Sequence, residues 1–196
     1  MKPNIYYFIS VITGGTLMAC ELLSARLISP YFGNSLYVWA AIIGTTMIGL
    51  AVGYFLAGYF SERGISKKAL MIALAAISAF VFVLPYFSSF IQTIFLDFEI
   101  RTGIIISTLI FNFPLYVLFG LFSPLIIDII TAATEDTGRF AGHIYGISTL
   151  SGVGFILLAG LYFLPEVGTK LSLFFCASLL SVATILFYIV DYRHEK

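Results

Sequence analysis

Charged residues are scarce in this chain of 196 residues, and their scarcity excludes most soluble folds. Only 10% of the residues are charged and 60% are hydrophobic, whereas soluble domains are about 25% charged and about 45–50% apolar. The mean hydropathy is +1.04, and a chain of this length cannot bury that much apolar surface by itself. The sequence therefore predicts an integral membrane protein in contact with lipid.

Several chemical signatures are also missing. The net charge is zero, so no basic surface points to nucleic acid. Cys20 and Cys176 lie in apolar stretches, which is typical of packing residues rather than of a disulfide or metal pair. Neither His143 nor His194 belongs to a metal-binding or triad pattern, and no glycine-rich nucleotide loop occurs. We expect no metal, no cofactor and no soluble-type enzyme site; an intramembrane enzyme remains an open alternative.

Long apolar runs predict an all-α bundle of about six transmembrane helices forming one domain, 1–196. A helix needs about 20 apolar residues to cross about 30 Å of hydrocarbon. We expect Pro30 to end the first helix, and Pro114 and Pro124 to kink or break the fourth. The predicted spans are 5–29, 36–60, 69–95, 103–132, 140–163 and 169–190.

Lysine and arginine positions predict the orientation, because such residues accumulate in cytoplasmic loops. We expect both termini in the cytoplasm and the chain in the cell membrane. The outer side then holds Arg26, Arg101 and Lys170. The cytoplasmic side holds the larger group: Lys2, Arg63, Lys67, Lys68, Arg139, Arg193 and Lys196.

The N-terminus also allows a different interpretation. Lys2, an apolar stretch and the letters LMAC loosely match a lipoprotein signal. In that case Cys20 would be the lipid-modified residue. Met18 is unusual at its position in such a signal, which favours an uncleaved first helix.

Ionisable residues at membrane depth are functional-site hypotheses by default. Glu21 and Arg26 are five residues apart, about 140° around a helix, so they do not neutralise each other along one face. We predict that both face the bundle interior as a polar core or substrate site, to which Asp128, His143 and Tyr145 are added. The alternatives are a buried acid that ties helices together for Glu21, a side chain that reaches the outer interface for Arg26, and interfacial residues for Asp128 and His143.

Glycines recur at a spacing that lets helices approach closely. Gly49 and Gly53 form one GxxxG pattern, and Gly142 and Gly146 form another. Small residues at this spacing are typical of helix contacts in membranes. We predict helix packing at both pairs.

The segment GYFSERGISKK, residues 58–68, resembles the loop between the second and third helices of major facilitator transporters. Gly58, Glu62, Arg63 and Gly64 match the motif, with Glu62 in place of the usual aspartate. In that family the acid and the arginine tie the loop to neighbouring helices and gate the cytoplasmic side. A six-helix unit also resembles half of a major facilitator.

A broader likeness covers about residues 10–175. The chain resembles the membrane domain attached to some bacterial and archaeal spermidine synthases. The pattern begins with Glu21, Arg26, Pro30, Phe32, Gly33, Ser35, Trp39, Gly49, Gly53, Tyr54 and Gly58. It continues with Ser123 to Leu125, Gly142, Tyr145, Ser148, Thr149, Gly152, Gly154, Pro165, Gly168 and Thr169.

In the fused family an aminopropyltransferase domain follows the membrane domain. Its glycine-rich loop and acidic residues have no counterpart in this sequence, so the resemblance assigns synthase activity to no residue here. The half-facilitator layout, the loop motif and the acids Glu21 and Asp128, which could meet a cation, favour a transporter-like protein for polyamines or related small cations, for which we expect a homodimer. The alternative is a non-catalytic membrane subunit or anchor that partners a soluble aminopropyltransferase or a larger membrane complex.

Overall fold

The computed structural model describes residues 3–132 and 136–192, and this part of the chain is helical throughout apart from short connections. Lys2, Arg193, His194 and Lys196, used above, lie outside the described residues. A π-helical stretch, Ala159–Phe163, joins the last two α-helices, and another, Tyr188–Tyr192, follows them. The α-helices are α1 (Pro3–Phe32), α2 (Leu36–Glu62), α3 (Ser66–Ile94), α4 (Ile100–Thr131), α5 (Thr137–Leu158) and α6 (Leu164–Phe187).

Five helical stretches in the described residues are long and apolar enough to cross a membrane. Four coincide with α1 to α4, and the fifth runs from Thr137 to Val190. A helix needs about 20 residues to cross the hydrocarbon of a bilayer. It also forms its backbone hydrogen bonds within itself, which hydrocarbon requires because it offers no partners. The chain is therefore an all-helical membrane protein.

The fifth stretch folds back on itself at Gly168. A straight helix of its 54 residues would be about 81 Å long. Gly168 interrupts it with φ 79° and ψ 173°, a conformation that is essentially restricted to glycine. The rings of Phe163 and Phe175 stack at 4.9 Å, although twelve residues of straight helix would separate them by about 18 Å. The chain therefore turns back at Gly168, and the helices on either side of the turn both pack on α1.

The proline predictions require correction. α1 continues through Pro30 and ends at Phe32, where Gly33 takes φ 75°. α4 runs through Pro114 and Pro124 without the predicted break, and the alternative prediction of a kink stays a prediction. Helices in an apolar surrounding tolerate proline because neighbouring helices hold the affected turn in place. The left-handed glycine, which satisfies the last carbonyl groups, ends α1 instead.

α1 lies at the centre of the bundle and contacts all five other helices. α2 packs along α4 in the most extensive helix contact, and α3 packs on α4 and α6. α5 packs mainly on α1. One face of α5 is consequently bare.

The contact between α2 and α4, which we call the α2–α4 seam, is closed by glycines. A Cβ atom on Gly53 would lie 2.4 Å from the carbonyl oxygen of Val117. One on Gly120 would lie 2.6 Å from the carbonyl oxygen of Leu50, and one on Gly49 would lie 2.7 Å from Cβ of Tyr116. The two backbones approach this closely only because no side chain stands between them.

Candidate functional site

Glu21 lies in the middle of α1 and is half-buried between helices. Its carboxyl group is close to the hydroxyl of Thr46 on α2, and Tyr116 on α4 lies near it. No basic side chain is among the groups that act on it. An acid placed in this way is costly in a membrane protein unless polar groups or a ligand surround it.

Buried polar side chains continue from Glu21 into the bundle. Ser24, one turn further along α1, donates a hydrogen bond of 2.9 Å to Oδ1 of Asn112 on α4. The Tyr116 hydroxyl lies near Ser24 and Thr46 but makes no hydrogen bond of acceptable geometry to either. The hydroxyls of Ser24 and Thr46 already donate hydrogen bonds to other groups. Ser24 donates to Asn112, and Thr46 donates to the carbonyl oxygen of Ile42 at 2.9 Å. We call Glu21, Ser24, Thr46, Asn112 and Tyr116 the polar cluster.

A cleft of about 250 Å³ opens between α1, α2, α4 and α5. Leu17 and Met18 line it, and they lie one turn before Glu21 on α1. The cleft therefore comes within one helical turn of the polar cluster. Its polar lining consists of Thr13, Tyr54, Ser123, Tyr145, Ser148 and Thr149.

Arg26 is exposed rather than turned to the interior as predicted. Its position about 140° around α1 from Glu21 places it on another face of that helix. A long arginine side chain at such a site reaches toward water at the interface. The two charges that the sequence suggested as one polar core are therefore separate, and Glu21 alone belongs to the cluster.

Asp128 serves a different part of the molecule. Its Oδ1 accepts a hydrogen bond of 2.6 Å from Ser61 at the end of α2, and its Oδ2 accepts one of 2.5 Å from Ser66 at the start of α3. Asp128 does not line the cleft. It thus clamps the connection between α2 and α3 to the end of α4.

The predicted gating loop is tied to α4 through the hydrogen bonds of Ser61 and Ser66 to Asp128. Glu62 is exposed, and the guanidinium of Arg63 lies 4.1 Å from the centre of the Tyr59 ring on the same helix. Gly64 adopts φ 66° at the turn, and Gly58 faces open space. The serines at 61 and 66 therefore make the ties that the motif assigns to the acid and the arginine.

Tyr145 and His143 occupy different environments. Tyr145 lines the cleft, opposite Tyr54 of α2, although much of its side chain is exposed. His143 is exposed on α5 and does not line the cleft. Glu21, Asp128 and His143 therefore do not converge on this cleft.

The two predicted glycine pairs also differ. Gly49 and Gly53 lie against α4, whereas a Cβ atom on Gly142 or Gly146 would meet nothing within 4 Å. The packing predicted for the second pair has no partner helix within the described chain. The close contact of α5 is made by Gly152 against Met18 of α1.

The two cysteines meet between α1 and α6. Cys20 is buried in α1 and interacts with Cys176 of α6, and both are free thiols. In the described residues, no group of three His, Cys, Asp or Glu side chains has the arrangement of a metal site. The thiols therefore contribute to the contact between α1 and α6.

Sequence reasoning missed most of the polar cluster. Ser24, Thr46, Asn112 and Tyr116 are neutral residues within apolar runs, and attention to charges passed over them. The available signal was the i, i+4 spacing of Asn112 and Tyr116, since polar residues on one helix face often join helices in membranes.

No protein-family model matches this chain, and no curated protein or solved structure is significantly similar to it. The fold and the polar cluster therefore carry the functional argument.

Proposed function

We propose that this chain is a transporter-like membrane protein for small organic cations, with polyamines as the first class to test. The carrying observation is the Glu21 carboxyl group, half-buried beside the hydroxyls of Thr46 and Tyr116 and without a basic partner among the groups that act on it. A carboxylate with neighbouring hydroxyl oxygens is a suitable acceptor set for an ammonium group.

The cleft supplies the access that such a site needs. It lies between four helices and reaches within one turn of Glu21 along α1. Its lining mixes apolar side chains with hydroxyls, as small-molecule sites generally do. Tyr54 and Tyr145 stand on opposite helices of the cleft, and aromatic faces attract ammonium groups. A cation entering between α2 and α5 would meet these rings before Glu21.

In this proposal the fifth helical stretch makes two crossings, which gives six in total. The turn at Gly168 and the stacked rings of Phe163 and Phe175 on its two sides support that count. The basic residues in the loop at 63–68, together with Arg139, support a cytoplasmic N-terminus. Six crossings are half of a major facilitator, so a homodimer would complete a two-half pathway.

Reconstituted vesicles provide the test. Purified protein should take up labelled spermidine, and Glu21→Gln should abolish uptake because the neutral amide no longer balances the ammonium charge. Glu166→Gln, at an exposed glutamate of α6, is the control and should retain uptake. Uptake that is equal in wild type and Glu21→Gln would remove Glu21 from the mechanism.

A second function is favoured by the bare face of α5. Gly142 and Gly146 have open space beside them, and His143 is exposed on the same helix. Such a face suits contact with another protein, either a soluble aminopropyltransferase or another membrane subunit. Gentle extraction with mass determination separates the two functions. A companion in fixed ratio supports the subunit, and a self-associated particle without one supports the transporter.

A further inference from the structure

Three polar side chains form a row along α4, and only two of them belong to the polar cluster around Glu21. Thr108, Asn112 and Tyr116 are four residues apart, and all three are fully buried. Each carries an atom without a hydrogen-bond partner: the Thr108 hydroxyl, Nδ2 of Asn112 and the Tyr116 hydroxyl. We call these three residues the α4 ladder.

Burying these unpaired polar groups without water would cost free energy. An unsatisfied buried polar group costs about 1–3 kcal/mol, and native proteins pair nearly all such groups with protein atoms or ordered water. Buried waters typically bond to about three polar partners each. Successive members of the ladder are about 6 Å apart along the helix axis, the rise of four residues. One or two waters would bridge each step.

One end of the α4 ladder lies beside Glu21, and the other lies toward the start of α4. Tyr116 lies beside Glu21, and Thr108 lies about 12 Å from the start of α4, the rise of eight residues. α3 packs on α4 and adds Ser88 and Gln92, which are also fully buried and unpaired. Gln92 is in the last turn of α3. Unpaired polar groups therefore occur on both α3 and α4 between the connection at residues 95–99 and the level of Glu21.

We propose that the α4 ladder is a hydrated proton path between Glu21 and the water at residues 95–99. A proton from that water passes through waters and hydroxyls by exchange of hydrogen bonds and forms an O–H bond on the Glu21 carboxylate. The same proton leaves when a cation binds to the carboxylate, so one positive charge replaces another. This exchange makes the proton the counter-ion of transport, and in that respect it rests on the proposed function.

The surroundings of Glu21 suit this role. Tyr116 faces it from α4, Thr46 faces it from α2, and Cys20 precedes it on α1. On the helices packed behind α1, Cys176 of α6 interacts with Cys20, and Tyr145 of α5 lines the cleft. The basic groups in the described residues do not act on the carboxyl group. Proton and cation therefore compete for Glu21 without a fixed positive charge that would exclude both.

Infrared spectroscopy of the full-length protein in lipid tests the path without requiring transport. The carboxylic band that acid produces in wild type and that Glu21→Gln removes belongs to Glu21. After transfer to D₂O, this band should shift rapidly in wild type. In Tyr116→Phe and Thr108→Val its exchange should slow by about tenfold, equivalent to about 1.4 kcal/mol in the barrier. Thr108→Val nearly preserves shape and serves if Tyr116→Phe does not fold.

Two matched substitutions control for general effects. Tyr31→Phe changes a half-buried tyrosine of α1, and Thr184→Val changes a threonine of α6 that bonds its own helix backbone at 2.8 Å. Both should exchange like wild type. Unchanged exchange in both ladder variants would overturn the path, and so would a Glu21 that acid never protonates.

The transport proposal and the proton path fail separately. Spermidine uptake that depends on Glu21, together with exchange that the ladder variants do not alter, would defeat the path alone. Exchange that depends on the ladder, together with no uptake of any cation tested, would defeat the transport proposal alone. Proton release on addition of spermidine to wild type, and none with Glu21→Gln, would support both.

Discussion

The α2–α4 seam and the outer face of α5 use the same glycine spacing in opposite surroundings. Gly49 and Gly53 face Tyr116, Val117 and Gly120 at distances that leave no room for a Cβ atom. Gly142 and Gly146 have open space beside them. The difference lies in the opposite helix, because α4 brings a glycine of its own to the contact and α5 has no neighbour on that face.

This contrast shows what glycine spacing does and does not encode. Spacing places small residues on one face of a helix. Whether that face closes within the chain depends on the complementary surface, which is distant in sequence. An open face of small residues in a membrane protein is consequently a candidate for contact with another chain, and a closed one determines the stability of the fold.

The largest expected effect comes from filling the seam. Gly53→Ala would place Cβ against the backbone of Val117 and Gly120, neither of which can rotate away. We expect a loss of about 3 kcal/mol in the free energy of unfolding, because the helices must separate. Unfolding in mixed micelles measures it. Gly58→Ala, five residues later and in open space, is the control; equal loss in both variants would contradict close packing at the seam.

A smaller loss should follow from removing the clamp at the end of the seam. Asp128→Ala leaves the hydroxyls of Ser61 and Ser66 without their acceptor, and we expect a loss of about 2 kcal/mol. Trypsin should also cleave faster near Arg63, since the loop is no longer tied. Asp128→Asn keeps one carbonyl acceptor, so its free energy of unfolding should lie between those of wild type and Asp128→Ala. Cleavage at the wild-type rate in Asp128→Ala would show that the clamp does not hold the loop.

The smallest effects should distinguish the two faces of α5. Gly152→Ala meets Cγ of Met18 at 2.7 Å, and because this side chain is flexible we expect a loss of only about 1 kcal/mol. Gly146→Ala meets nothing, and the better helix propensity of alanine should raise stability by up to about 1 kcal/mol. Thermal unfolding in detergent compares the two. A large loss in monomeric Gly146→Ala would mean that this face is packed within the chain.

Most of the helices could be predicted from sequence, because a long apolar run leaves the backbone no alternative to a helix in hydrocarbon. The predicted run 36–60 became Leu36–Glu62, and 103–132 became Ile100–Thr131. The errors occurred at helix ends. Pro30 was expected to stop α1, but the stop is the positive φ of Gly33, a conformation that depends on capping contacts rather than on hydropathy.

The candidate site was less predictable. Glu21 is conspicuous because a charge in an apolar run is rare, and Tyr145 was expected near the site and lines the cleft. Arg26 and Asp128 were equally conspicuous, yet one is exposed and the other clamps a loop. Charge alone does not reveal which helix will face a residue. That depends on the arrangement of α1, α2 and α4, which is determined by glycines and packed side chains.

The reversal at Gly168 also determines the direction of the helix that follows it. The chain is helical on both sides of this residue, and the non-helical backbone of Gly168 reverses its direction. Any side chain at this position is strained by the positive φ. A substitution that relieved the strain by straightening the chain would turn the following helix away from α1, on which it packs. One residue without a side chain thus determines the direction in which the last α-helix runs.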